Sequence, residues 1–208
     1  MKRYLAILLS LLLICGLAFA EETEDPDAVA SATLKITKLP EVKAEDNGIL
    51  VIYFSPDDTT RAAAYAIAAG LSADLFEIVP EEPYTEEDLN YFNNFARSIQ
   101  ESKDKNARPA IVALPEDLEK YDTILLGYPI WGGETPKIML TFVENADLSG
   151  KTVVPFCTSN SSKFGSSDKQ LKKLAGDSVT WKKGTRIEKG WTAEQIIEAA
   201  PGILNPEE

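Results

Sequence analysis

The chain has 208 residues with 33 acidic and 21 basic side chains, two cysteines and no histidine, and a formal charge of −12 at neutral pH. That balance argues against nucleic acid as a partner, because a phosphate backbone is held by clustered lysines and arginines. The absence of histidine excludes Ser-His and Cys-His nucleophile pairs and histidine-ligated zinc, so carboxylates, hydroxyls, lysines and aromatics are left to carry any chemistry.

Lys2 and Arg3 precede the apolar run Leu5 to Leu13, and Ala18-Phe19-Ala20 supplies the small-x-small pattern of a cleavage site. Residues 1–20 are therefore expected to form a secretory signal peptide, placing the mature protein outside the cell or in the cell envelope, with no membrane association after cleavage. A membrane span needs about 20 apolar residues, and the run here is shorter and interrupted by Ser10 and Gly16. Cys15-Gly16 offers lipidation as a second route, although Ile14 stands where a small residue is expected. Losing Lys2 and Arg3 makes the formal charge two units more negative, −14. Cys157 is then the single cysteine, and no internal disulfide forms.

Residues 21–47 are rich in acid, alanine and lysine and read as an acidic, solvated tether. A short alternation of Leu34, Ile36 and Leu39 within it offers an edge strand as the other reading. From Gly48 the composition changes, and about 160 residues are enough for one domain with one core. The apolar, β-branched run Ile49 to Phe54 predicts a strand buried on both faces. A polar turn, Ser55 to Thr60, leads into a predicted helix over 61–71. A strand at 75–79, a helix at 86–102 and a second doubly buried strand at 123–126 follow. Then come a turn over 127–136, a helix through Phe142, a strand at 152–156, a helix at 167–174, a strand at 179–181 and a helix at 192–199.

Strands alternating with helices imply a parallel sheet with right-handed crossovers, an α/β fold with helices on both faces. Ligands bind such sheets outside the carboxyl ends of the strands, which points to the loops 55–60, 127–136 and 157–166. The first places the hydroxyls of Ser55, Thr59 and Thr60 at a helix start with unpartnered amides, a setting for phosphate and equally for an ordinary cap. The second, Gly127-Tyr128-Pro129-Ile130-Trp131-Gly132-Gly133-Glu134-Thr135-Pro136, gathers two aromatics, three glycines and two prolines. Aromatics present a flat face, and glycines let backbone approach a ring closely.

Tyr53-Phe54-Ser55 with Thr60-Arg61, Gly127-Tyr128-Pro129-Ile130-Trp131 with Gly133 and Pro136, Leu148 to Lys151, Pro155 to Ser159 and Gly165-Ser166-Ser167 together resemble the flavodoxin-like family. The likeness runs from Gly48 to about Leu174, within a domain expected over residues 48–204, with all three loops in the expected order. It implies a five-stranded sheet in the order 2-1-3-4-5, non-covalent FMN, and electron transfer. By position, Ser55, Thr59 and Thr60 would hold the FMN phosphate. Trp131 and Tyr128 would meet the isoalloxazine ring, with Pro129 also among the cofactor-binding residues and the backbone near Gly132 and Gly133 at the ring's reactive edge, and Thr158 and Ser159 would complete the wall.

Three departures stand against this pattern. The family's phosphate loop reads Ser-x-Thr-Gly-x-Thr, whereas this chain carries Asp57 and Asp58 at the threonine and glycine positions. Two unit charges about 6 Å apart at an effective dielectric of about 20 repel by about 3 kcal/mol, so a carboxylate beside a phosphate is costly. Gly132 stands where relatives carry a second tryptophan, and Asn160 and Ser161 where they carry glycines. Arg61 and Lys163 are the cations placed to compensate. An exported binding module that has lost FMN is thus a second expectation. A phosphoacceptor domain is a third, but it needs an aspartate at the end of the third strand, where Gly127 stands. The acidic surface suits a redox protein partner with a basic docking patch.

Overall fold

A computed structural model of the chain describes Leu34, Ile36 and residues 38–206; the expected signal peptide lies outside the described residues. The sheet begins with β1 (Ile49–Tyr53), which pairs in parallel with β2 (Asp74–Glu77) on one side and β3 (Thr123–Pro129) on the other. β4 (Thr152–Thr158) extends the sheet beyond β3, and the order is β2-β1-β3-β4-β5 as expected. The fifth position is filled by two fragments, β5 (Thr180–Trp181) and β6 (Thr185–Arg186), that pair with successive stretches of β4.

Alternation within each strand sends side chains to two separate cores. Val51 and Tyr53 of β1, with Leu125, Val154 and Phe156, pack under α1 (Thr59–Leu71) and α5 (Ala193–Leu204). Leu50, Ile52 and Phe54, with Ile124, Leu126 and Val153, face α3 (Lys137–Asn145) and α4 (Lys169–Ala175). The first face is built for closeness, since α1 buries Ala62, Ala63, Ala64, Ala66 and Ala68. A Cβ added at Gly70 of α1 would lie 2.5 Å from the Ile197 carbonyl of α5, so the two helices pack backbone to backbone there.

Three elements differ from expectation. The helix expected over 86–102 is present only as α2 (Arg97–Lys103). Before it, the Asn90 and Asn93 side chains accept the Phe92 and Phe95 amides at 3.1 and 3.0 Å, taking donors that a helical ladder would use. β3 does not end at Leu126 but runs on through Gly127 and Tyr128 to Pro129, all paired with β4. Leu34 and Ile36 are buried in the α1/α5 core, so these two residues of the expected tether are anchored rather than solvated.

Candidate functional site

At the carboxyl ends of β1, β3 and β4 lies a cleft of about 360 Å³. Its floor comes from the loop after β1. The Arg61 amide donates to Ser55 Oγ at 2.9 Å, and the Thr59 amide donates to Asp57 Oδ1 at 3.2 Å. Ser55 is buried as a brace for the start of α1, while Thr59 and Asp57 line the cleft. Thr60 is fully buried, and its Oγ1 lies 2.7 Å from Thr158 Oγ1, which ties the first loop to the end of β4.

The two aspartates do different things. Asp58 sits at φ 61°, the left-handed conformation for which a glycine is the natural choice. Its carboxylate turns to Arg61, whose guanidinium also donates to Glu77 Oε1 at 2.6 Å. Arg61 is therefore committed on both sides and is absent from the cleft wall, as is Lys163. Among the described residues Asp57 is the one charged side chain lining the cleft. The protein around its loop raises the Asp57 carboxyl above the ordinary carboxylate range, with the Thr59 amide opposing that push and Asp58 adding to it. Asp57 nevertheless keeps substantial solvent-accessible area, and contact with water weakens the shift.

The second wall is the loop after β3. Tyr128 corrects the sequence expectation: as part of β3 it is fully buried on the α3/α4 side, with its Oη 3.1 Å from Ser167 Oγ, and burial pushes its phenol pKa up. Its ring does not reach the cleft, whereas Pro129, Ile130, Trp131 and Gly132 do. Reciprocal backbone bonds between Trp131 and Glu134, at 3.0 and 3.1 Å, close a tight turn over Gly132 and Gly133, whose φ values are 60° and 88°. Trp131 is fixed by edge-to-face contacts with Phe54 and Tyr84 at centroid distances of 5.7 and 5.3 Å. Gly133 lies at the outside of this turn rather than on the cleft wall.

The third wall carries Thr158 and Ser159, followed by Asn160, Ser161 and Ser162. Ser159 Oγ accepts the Ser162 amide at 2.9 Å, which shapes the loop in place of glycines. A fourth wall was not foreseen: Leu89 and Tyr91 from the segment between β2 and α2, with Ser98 and Ile99 from the first turn of α2. Its base is fixed by Tyr84, whose hydroxyl donates to Glu101 Oε2 at 2.6 Å and whose ring lies 4.2 Å from the Arg97 guanidinium. The signal available in the sequence was the cluster of Tyr84, Tyr91, Phe92 and Phe95 within a stretch broken by asparagines. The cleft therefore offers an aromatic and aliphatic half and a half dense in hydroxyls, with a single negative charge at the start of α1.

The model of the flavodoxin family, described as "Flavodoxin", matches residues 48–200. Among solved structures, a "putative flavoprotein" from Bacteroides eggerthii shares 40% identity with a TM-score of 0.68, covering 76% of this chain and 98% of that one. A second "putative flavoprotein", from Bacteroides uniformis, shares 35% identity with a TM-score of 0.67, covering 76% and 97% of the two chains. A Lactobacillus acidophilus flavoprotein in complex with FMN shares the fold at 24% identity and a TM-score of 0.51, over 66% of this chain and 91% of that one. No curated protein matches the chain. With the family pattern spanning the whole sheet and two relatives above 30% identity matched over almost their entire length, the chain belongs to the flavodoxin family.

Proposed function

We propose that this protein is exported, binds FMN non-covalently in the cleft at the ends of β1, β3 and β4, and transfers electrons through it. The observation that carries the reading is the division of the cleft: Trp131, Ile130, Leu89 and Tyr91 on one part, and the hydroxyls of Thr59, Thr158, Ser159, Ser161 and Ser162 on the other. A planar ring bearing a polyhydroxy chain needs that combination, and about 360 Å³ falls within the range of small-ligand sites. The FMN complex of the Lactobacillus acidophilus protein supports the choice of ligand within a shared fold. A bound flavin supplies one- or two-electron chemistry that no side chain here provides.

The roles of the chain's own residues follow from their positions. Trp131, held by Phe54 and Tyr84, is a preset flat wall that gives up little freedom on binding. Thr59 and Ser159 bring hydroxyls to the polar half, and Thr60 and Ser55 act behind them by fixing the loops. The acidic surface would steer a redox partner that presents a basic patch, and such steering weakens with salt.

Titration of FMN with the purified protein, followed by flavin fluorescence and the visible spectrum, tests the reading. Saturable quenching with a shifted absorption band is the expected result; unquenched fluorescence at all protein concentrations would overturn it. A second reading, an exported binding module without flavin, is favoured by one observation: the carboxylate of Asp57 stands at the amide of Thr59.

A further inference from the structure

We infer that Asp57 makes this site one for the unphosphorylated flavin as much as for FMN, by placing the protein's own anion on a donor a phosphate would use. This rests on the flavin reading and concerns only its phosphate end. Three observations carry it. Asp57 Oδ1 accepts the Thr59 amide at 3.2 Å, so the first amide of α1 already holds a carboxylate oxygen. The Arg61 amide is likewise occupied by Ser55 Oγ at 2.9 Å. And among the described residues no lysine or arginine lines the cleft to offset the charge; Arg61 is held by Asp58 and Glu77.

An incoming dianion must displace the Asp57 carboxylate from that amide or lie against it, and either route opposes binding. A neutral flavin avoids both, since its ring and hydroxylated chain use Trp131, Tyr91 and the serine-rich wall, while the Asp57 carboxylate is held at the Thr59 amide. Asp58, the other carboxylate in the loop, is turned outward to Arg61 and does not line the cleft, so the discrimination belongs to Asp57.

Riboflavin and FMN are each titrated into the full mature protein at pH 7.5 and into its Asp57→Asn and Asp57→Ala variants, with fluorescence quenching as the readout. Asp57→Asn keeps the amide acceptor and removes the charge; Asp57→Ala removes both. In the wild type the two flavins are expected to bind within about threefold of each other. In both variants FMN is expected to bind at least about tenfold more tightly, with riboflavin unchanged within about threefold. A wild-type preference for FMN above about thirtyfold, or variants that shift both flavins equally or neither, would overturn the inference while leaving the flavin reading intact. Failure of both flavins to bind any of the three proteins would overturn the flavin reading and the inference with it.

Discussion

Two sets of glycines in this protein serve opposite purposes. Gly127, in the middle of the sheet, is a glycine because a ring occupies the place of its side chain: a Cβ there would come 2.2 Å from Phe156. Gly132, at the cleft, has nothing within 4 Å of that position and is required instead by a backbone φ of 60°. The first belongs to a frame that is closed to change, the second to a rim that is open. The lesson is that the frame under the cleft sets whether the protein folds, while the rim sets what it holds.

The sharpest way to break the frame is Gly127→Ala. The added methyl collides with the Phe156 ring between β3 and β4, where neither neighbour can withdraw without moving a buried strand. A loss of about 3 kcal/mol is expected, seen as a fall of roughly 10 °C in the thermal midpoint. A change under about 2 °C would show that the frame yields as readily as the rim.

The corresponding change on the rim is Trp131→Ala. It removes the aromatic wall together with the contacts to Phe54 and Tyr84. Because Trp131 is only partly buried, thermal stability is expected to fall less than in Gly127→Ala. Flavin affinity should drop about thirtyfold, equivalent to about 2 kcal/mol. Unaltered flavin affinity in a folded variant would place the ring elsewhere and remove the main support for the proposed cleft.

The same division explains what could be read in the sequence. The frame was legible because Ile49 to Phe54 and Thr123 to Leu126 are apolar runs bounded by polar turns and alternating with helical spacing, the pattern of parallel strands buried on both faces. Cys157, near the end of β4, belongs to that frame: it is fully enclosed, and burial pushes its thiol pKa up to about 12. The end of β3 was not legible, because Gly127, Tyr128 and Pro129 look like turn residues until β4 is seen to pair with them. That error is what put the Tyr128 ring in the cleft. The wall at Leu89 and Tyr91 was missed for a different reason. Apolar residues there mimic helical spacing, while the local asparagine bonds that break the helix depend on side-chain direction, which spacing does not encode.

Asp58→Gly sharpens the comparison at lower energy. Relief of a left-handed aspartate is worth about 1 kcal/mol, and losing an exposed ion pair to Arg61 returns about half of that. A net gain of about 0.5 kcal/mol in a denaturant titration is expected, with flavin affinity unchanged, since Asp58 does not line the cleft. A large gain in FMN affinity would mean that both carboxylates of the loop, and not Asp57 alone, face the ligand.

The smallest effect expected is the response of Asp57 to pH, and its sign separates rim from frame. Its carboxyl lies above the ordinary 3.8 in the folded protein, first because the surrounding protein displaces part of its water and last because of the neighbouring Asp58. The folded state therefore binds this proton more tightly than the unfolded chain. The stability it contributes is present in full below pH 3.8 and is lost as pH rises through the folded value. Asp57→Asn removes that dependence, so its stability advantage over the wild type should be wider at pH 6 than at pH 4. The difference should stay below about 1 kcal/mol because the side chain is exposed and solvent screens it. Chemical denaturation of both proteins at the two pH values measures it. An advantage that instead narrows toward pH 6 would mean that the Thr59 amide outweighs burial at Asp57, making the carboxylate a stabilising cap rather than a charge held at the mouth of the cleft.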